Sequence, residues 1–386
     1  MTNIDLDAVI RALKEEMLQD KNFIALQESR FSGNEWAYVK ECLDTGWVSS
    51  VGKFVDRFES DLIEFTGIKH VVAVVNGTSA LHICLKLIGV ERDDEVLVPA
   101  LTFVATANAV AYCNAIPHFV DCDERTLGLD PVKLLNYLDE FAEVRSDGCY
   151  NKKSGRCIKA VIPMHTFGHP VDLDPIVELC KRYKLELIED AAESLGSLYK
   201  NRHTGSFGNV SAVSFNGNKI ITSGGGGAIL TNNESLAKLA KHLTTTAKLP
   251  HRWAFVHDQA GYNYRLPNLN AALGCAQLER IKIFLEKKRR LALNLKKIFD
   301  NIEGIHFFTE AKYARSNYWH NVLLLDEEHA GKRDTLLELT SDQNIMARPA
   351  WTLMHKLKMF QDCPKMNLSV SESIERRLIS IPSSTF

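Results

Sequence analysis

Apolar positions recur at helical spacing from the start of the chain. Ile4, Leu6, Val9, Ile10, Leu13 and Met17 fall roughly on one face of a helix over residues 4–20. Ser32, with Glu35 three residues on, has the form of a capping box and predicts a second helix reaching about Asp44. A polar stretch punctuated by Gly46 and Gly52 follows, and helical spacing returns over Phe54–Phe65. From residue 70 the period changes. Short apolar runs at His70–Val75, Glu95–Pro99, Pro117–Val120, Lys159–Pro163 and Leu185–Asp190 alternate with helical segments at Ala80–Ile88, Ala105–Tyr112 and Leu173–Tyr183. Strands alternating with helices predict a mostly parallel sheet sandwiched by helices. Residues 143–158 are charged and contain glycine, which predicts an exposed excursion.

Two more strands, Val210–Phe215 and Ala228–Leu230, flank a turn holding Lys219 and the four glycines Gly224–Gly227. Glu234–Thr244 reads as a helix, and 248–270 as loop-rich with Pro250 and Pro267. Ala271–Phe299 predicts one long helix, broken if anywhere near Gly274. Short strands at His306–Phe308, Tyr318–Leu325 and Asn344–Arg348 predict a smaller C-terminal α+β domain. The expected division is an N-terminal helical segment (1–45), a large α/β domain (46–265) and the small domain (266–386).

Composition adds exclusions. With 386 residues, 45% hydrophobic and 24% charged, the chain is an ordinary globular protein with room for a large core. Lys+Arg of 46 against Asp+Glu of 48 leaves no net field to draw nucleic acid or an acidic membrane. Nine scattered cysteines without CxxC spacing predict reduced, buried thiols rather than staples or metal ligands. The N-terminus lacks a basic, apolar leader pattern, and no run approaches the roughly 18 apolar residues of a membrane span, so a cytoplasmic location is expected.

The candidate chemistry sits where strands end, because parallel sheets bind ligands beyond their carboxyl ends. Thr78 and Ser79 open a helix, and N-terminal amides plus two hydroxyls suit a phosphate; plain capping is the commoner use. Asp190 ends a strand, where a carboxylate can hold a protonated ring nitrogen or merely cap the next turn. Phe103, just past a strand end, is placed to stack on a flat ring or to fill the core. Ser214 lies five residues before Lys219 and offers a further hydroxyl for the phosphate. Lys219, between two strands and beside bare backbone, suits a covalent bond to a flat cofactor; a solvated loop lysine is the plainer alternative.

Five motifs in this order settle the choice. They are Asn76-Gly77-Thr78-Ser79-Ala80-Leu81, Pro99 with Thr102-Phe103-Val104-Ala105-Thr106, Glu189-Asp190-Ala191-Ala192-Glu193, Ser214-Phe215 with Lys219, and Gly261-Tyr262-Asn263-Tyr264-Arg265. The set resembles the fold-type-I pyridoxal phosphate enzymes, and within them the DegT/StrS-type nucleotide-sugar aminotransferases. The resemblance implies an aspartate-aminotransferase-like fold and pyridoxal 5'-phosphate as cofactor. Lys219 would be the lysine that bonds to it and then moves the proton. Asp190 would pair with the ring nitrogen, Phe103 would stack on the ring, and Thr78, Ser79 and Ser214 would hold the phosphate. Glu193 stands near the ring hydroxyl, where the family often has Gln or His. Asn263 and Arg265 match a loop that enters the neighbouring subunit's site, which implies a homodimer with shared active sites. Gly224–Gly227 depart from the commoner Gly-Glu-Gly-Gly and are expected to let the chain turn closely past the lysine.

A narrower resemblance rests on residues 46–55, on His165-Thr166-Phe167-Gly168-His169-Pro170, and on residues 348–355. These look like the branch associated with legionaminic acid and bacillosamine-type sugars. It implies transfer of an amino group from glutamate to C4 of a UDP-linked 4-keto-6-deoxy-N-acetylhexosamine, a step toward surface polysaccharide. Trp47, His165 and Trp351 would meet the sugar, and Arg348 a diphosphate or the donor carboxylate. Two alternatives stand beside this: a related sugar dehydratase, where histidine typically replaces the lysine, and a cofactor-fold regulator without turnover.

Overall fold

The computed structural model describes residues 4–17 and 22–384. Seven strands form the central sheet: β1 (His70–Val74), β2 (Glu95–Pro99), β3 (Ile116–Val120), β4 (Ile158–Val161), β5 (Glu186–Asp190), β6 (Val210–Ser214) and β7 (Gly227–Thr231). Their spatial order is β1-β7-β6-β5-β4-β2-β3. β7 runs antiparallel to both neighbours, and the other six run parallel to one another. Both faces are covered, so the runs are apolar throughout. Val71 and Ala73 face one core cluster with Phe58 and Phe215, while Val72 and Val74 face a second with Ile83 and Val98.

A second sheet is built from β8 (Ile305–Phe307), β9 (Asn321–Leu325), β10 (Arg348–Pro349) and β11 (Leu378–Ile381), all antiparallel, in the order β8-β9-β11-β10. The N-terminal helix Leu6–Met17 buries Val9, Ile10 and Leu13 in one cluster with Phe299, Leu323 and Ile381. Its predicted continuation to residue 20 lies outside the described residues. All nine cysteines are free, seven of them buried. Among the described residues no helix is long and apolar enough to cross a membrane.

Three local expectations change. Ser32 does not cap the second helix (Glu35–Thr45): Glu35 takes the Gly33 amide at 2.7 Å and the Gln277 side chain at 2.7 Å, so tertiary contacts outcompete the capping box. The long helix breaks at Glu279–Arg280 rather than near Gly274, giving Asn268–Leu278 and Ile281–Phe299. Glu279 is pinned there by Asn34, Tyr38 and Arg57. Gly274 serves packing instead, since a Cβ there would lie 2.8 Å from the Phe58 ring. Residues 143–158 are also more than an exposed excursion. They form a hairpin, Ala142–Val144 with Cys149–Asn151, and Asn151 and Ser154 donate to the fully buried Glu95. That buried carboxylate needs donors, and the hairpin supplies them.

Candidate active site

Parallel strands bring the carboxyl ends of β1, β5 and β6 to one edge of the sheet. Because β7 is antiparallel, its first residue meets the same edge: Gly227 lies opposite both Val74 and Ser214. The glycine is required there, since a Cβ would lie 2.5 Å from the Asn76 carbonyl carbon. Gly227 therefore serves the approach of β7 to the Asn76-Gly77 turn, and none of Gly224–Gly227 lines the cavity described below.

At this edge lies a cavity of about 600 Å³ lined by Thr78, Phe103, Asp190, Glu193, Ser214, Lys219, Arg348 and Trp351, among others. Asn76 caps the helix Gly77–Leu87, its Oδ1 accepting from the Ser79 amide at 2.7 Å. Ser79 itself is buried behind Thr78 and outside the lining set, so only Thr78 of that pair presents to the cavity. Asp190 is 2% exposed; its Oδ2 accepts from the Thr106 hydroxyl at 2.7 Å and its Oδ1 from the Ala192 amide at 3.2 Å. Burial pushes its carboxyl up from the usual range, against the pull of Thr106, Ala192 and Lys219.

Lys219 sits in the turn between β6 and β7. Lys219 N donates to the Asn216 carbonyl, Phe215 N to Gly226, and Ser223 N back to Phe215, which clamps the turn at both ends. The Lys219 ammonium lies 3.2 Å from Glu193 Oε1 and 3.8 Å from the centroid of the Trp319 ring. Trp319 is held in turn by its Nε1, which donates to the Asn218 carbonyl at 2.7 Å. An aromatic wall continues from Trp319 through His320 (3.8 Å between centroids) and Phe167 (5.8 Å) to Trp351 (4.8 Å).

Five candidates lie outside this cavity. His165 is fully buried. Its Nε2 faces Glu189 at 3.1 Å and its Nδ1 accepts from the Val171 amide, so it does not reach a sugar in this site. The Gly- and Pro-flanked motif that suggested a ligand contact instead supplies Phe167. Trp47 is 58% exposed and lines a separate groove with Phe54 and Asn268. Ser79 lies behind the lining as described. Asn263 and Arg265 pair through backbone with Thr245 and Val74. Sequence reasoning missed Thr106 as the partner of Asp190, and Trp319 and His320 as cavity walls. Thr106 lies in the Thr102–Thr106 motif, in the first turn of the helix Val104–Tyr112, and its hydroxyl also meets that of Thr102 at 2.8 Å.

The set suits a flat heterocycle with a phosphate. A helix N-terminus with Thr78 and Ser214 favours the anion, a buried Asp190 without an ion-pair partner among the described residues favours a ring cation, and the half-exposed Phe103 offers a stacking face. Pyridoxal phosphate has these parts.

Comparison with known proteins agrees. The family model described as the DegT/DnrJ/EryC1/StrS aminotransferase family matches residues 30–385. The chain is 36% identical over 364 residues to EpsN of Bacillus subtilis (strain 168), covering 93% of this chain and 90% of that one. It is 36% identical over 360 residues to a GDP-perosamine synthase of Caulobacter vibrioides, covering 92% of each. Among solved structures, the aminotransferase TlmJ from Streptoalloteichus hindustanus superposes with a TM-score of 0.84 at 26% identity, covering 94% of this chain and 93% of that chain. The chain belongs to the DegT/DnrJ/EryC1/StrS aminotransferase family and is a pyridoxal phosphate-dependent aminotransferase of fold type I.

Proposed function

We propose that this aminotransferase carries an amino group from glutamate to C4 of a UDP-linked 4-keto-6-deoxy-N-acetylhexosamine, supplying a 4-amino sugar for surface polysaccharide. The observation that carries the reading is the meeting of Lys219, Glu193 and Asp190 on one cavity whose rim holds Arg348, a guanidinium with no carboxylate partner among the described residues. A free guanidinium at a cavity mouth suits a diphosphate or the donor's carboxylate. Bound in the cavity, the cofactor supplies an electron sink for the amino carbon. Asp190 would hold its ring nitrogen charged. Thr78 and Ser214 would orient its phosphate, the cap beneath them being fixed by the Ser79 amide on Asn76. Phe103 would offer its face to the ring, and Lys219 would take and return the proton at the reacting carbon. Trp351 extends the aromatic wall toward the sugar.

A second reading changes the nucleotide. Relatives named GDP-perosamine synthase, at 34–36% identity, favour a GDP-linked 4-keto-6-deoxyhexose. A half-reaction screen separates the two. The enzyme is first converted to its aminated form with glutamate, and keto-sugar nucleotides are then tested for return of the original absorbance. Return with the UDP-linked N-acetylated sugar is the expected result. Return with the GDP-linked sugar alone assigns the relatives' nucleotide, and no return with any keto-sugar nucleotide removes the reading.

The proposal includes a homodimer with shared sites. Asn263 and Arg265 lie outside their own chain's cavity, and the same segment exposes Trp253 (73%) and Phe255 (78%), apolar area that a second copy would cover. Mixing Lys219→Ala subunits with Asn263→Ala/Arg265→Ala subunits is expected to restore part of the activity, because one site per heterodimer then holds only intact residues. Proven heterodimers with no recovery would count against the sharing.

A further inference from the structure

Two buried glutamates lie four residues apart at the end of β5, and their surroundings differ. Glu189 is fully buried and receives the amides of Gly205 (2.7 Å), Phe207 (2.6 Å) and Gly208 (2.8 Å) as well as the His165 ring. Burial pushes its carboxyl up, but these donors override it and hold the group below the usual range. Glu193, 3% exposed, receives one amide, that of Phe167 at 2.8 Å on Oε2, and the Lys219 ammonium on Oε1. Burial, and after it the neighbouring Asp190 charge, push its carboxyl up, against Lys219 and the Phe167 amide, to about 7. One buried carboxylate is thus built to stay ionised and the other is not.

The amide that aims Glu193 comes from a residue in an unfavourable conformation. Phe167 has φ 56 and ψ 16, the left-handed region, which a bulky side chain rarely adopts. The conformation turns its N–H to Glu193 while its ring stays stacked in the aromatic wall. Backbone held in such a region needs support from its surroundings and concentrates at working sites.

We propose that Glu193, aimed by the Phe167 amide, is the proton acceptor that turns the Lys219 ammonium into the free amine able to bond to the cofactor. One N–H bond of the ammonium breaks and an O–H bond forms on Glu193 Oε1. A partly buried cation and a buried anion become a neutral amine and a neutral acid, with no other reactant needed. With burial around both groups, the neutralisation costs less than it would in water. The other titratable groups facing the pair are Asp190 at the end of β5 and His320 beside Trp319, with Lys288 behind the tryptophan. Burial, followed by the Lys288 and Lys219 charges, drives His320 well below its usual range, so it is neutral there and adds no competing charge.

The inference rests on Lys219 being the cofactor-bonding lysine, and the test separates the two. Apoenzyme of the full chain is prepared, and the rate at which added pyridoxal phosphate regains its bound-state absorbance is followed against pH. The wild-type rate is expected to rise through about pH 7 and level off, whereas Glu193→Gln loses at least about 10²-fold at neutral pH and recovers at alkaline pH, a loss of the size expected when a base is removed. Glu193→Asp, which keeps a titratable acid, is expected to regain part of the neutral-pH rate. A Glu193→Gln profile superposable on the wild type overturns the proposal. If that variant does not fold, the infrared spectrum of Asp190→Asn apoenzyme, which lacks the other raised carboxyl of the site, serves: a buried protonated-carboxyl band that disappears on going from weakly acid to alkaline pH supports the proposal, and its absence overturns it. Borohydride reduction after reconstitution reports on the lysine alone. Label on another lysine removes the underlying assignment, while label on Lys219 with an unmoved pH profile removes only the role of Glu193.

Discussion

Lys219→Ala is expected to fold, to be colourless after purification, and to show no cofactor fixed by borohydride. Its transamination rate should fall by at least about 10⁴-fold, since the change removes both the covalent anchor and the base that moves the proton. The structure gives reason to expect intact folding. The Lys219 side chain is nearly buried, but its contacts are Glu193 and the Trp319 face, and the turn is held by backbone bonds that alanine retains. The measurement is peptide mapping of reduced protein together with a single-turnover rate. Cofactor fixed to another lysine in the variant would sink the assignment.

Asp190→Asn is expected to retain cofactor and lose about 10³-fold in transamination, about 4 kcal/mol of barrier. Asparagine keeps the size and an acceptor for the Thr106 hydroxyl, so the local packing survives. What it loses is the negative charge. In the protein Asp190 is buried, without an ion-pair partner among the described residues, and its carboxyl is pushed up by that burial. A ring cation bound beside it would supply the missing counter-charge, and the ionised carboxylate would in turn keep the ring protonated and electron-withdrawing. The sign follows for pH: adding the cation lowers the Asp190 carboxyl again, so holoenzyme activity should not fall as the solution becomes mildly acid on account of this group. Half-reaction rates of the two forms measure the effect. Near-normal turnover in Asp190→Asn removes the role.

Much of this architecture was legible along the chain because its signals are local. The central strands are short apolar runs with both faces buried, and each predicted run lies within about two residues of the observed strand. Asp190 and Lys219 stood out because parallel strands put their ends on one side. What escaped needed contacts between distant segments. Trp319 meets Lys219 across a hundred residues of chain, and only the packing of β9 beside the site brings it there. His165 was expected to meet the sugar on the branch resemblance of residues 165–170; the buried Glu189, which must have donors, claims it instead. Leu378–Ile381 was too short a run to announce that it is an inner strand of the second sheet. At residues 165–170 the structure turns the Phe167 amide to Glu193 and keeps the His165 ring on Glu189, outside the cavity.

The clamped turn around Lys219 has a kinetic consequence. Both of its ends lie in inner strands of the sheet, its backbone bonds close on themselves, and the Trp319 indole fastens Asn218 from the other side. Such a turn cannot swing as a flap. In the role proposed for it, Lys219 would move by rotating its own side-chain bonds, a motion of the picosecond-to-nanosecond class rather than the microsecond-to-millisecond class of moving loops, so that motion would impose no loop-opening gate on turnover.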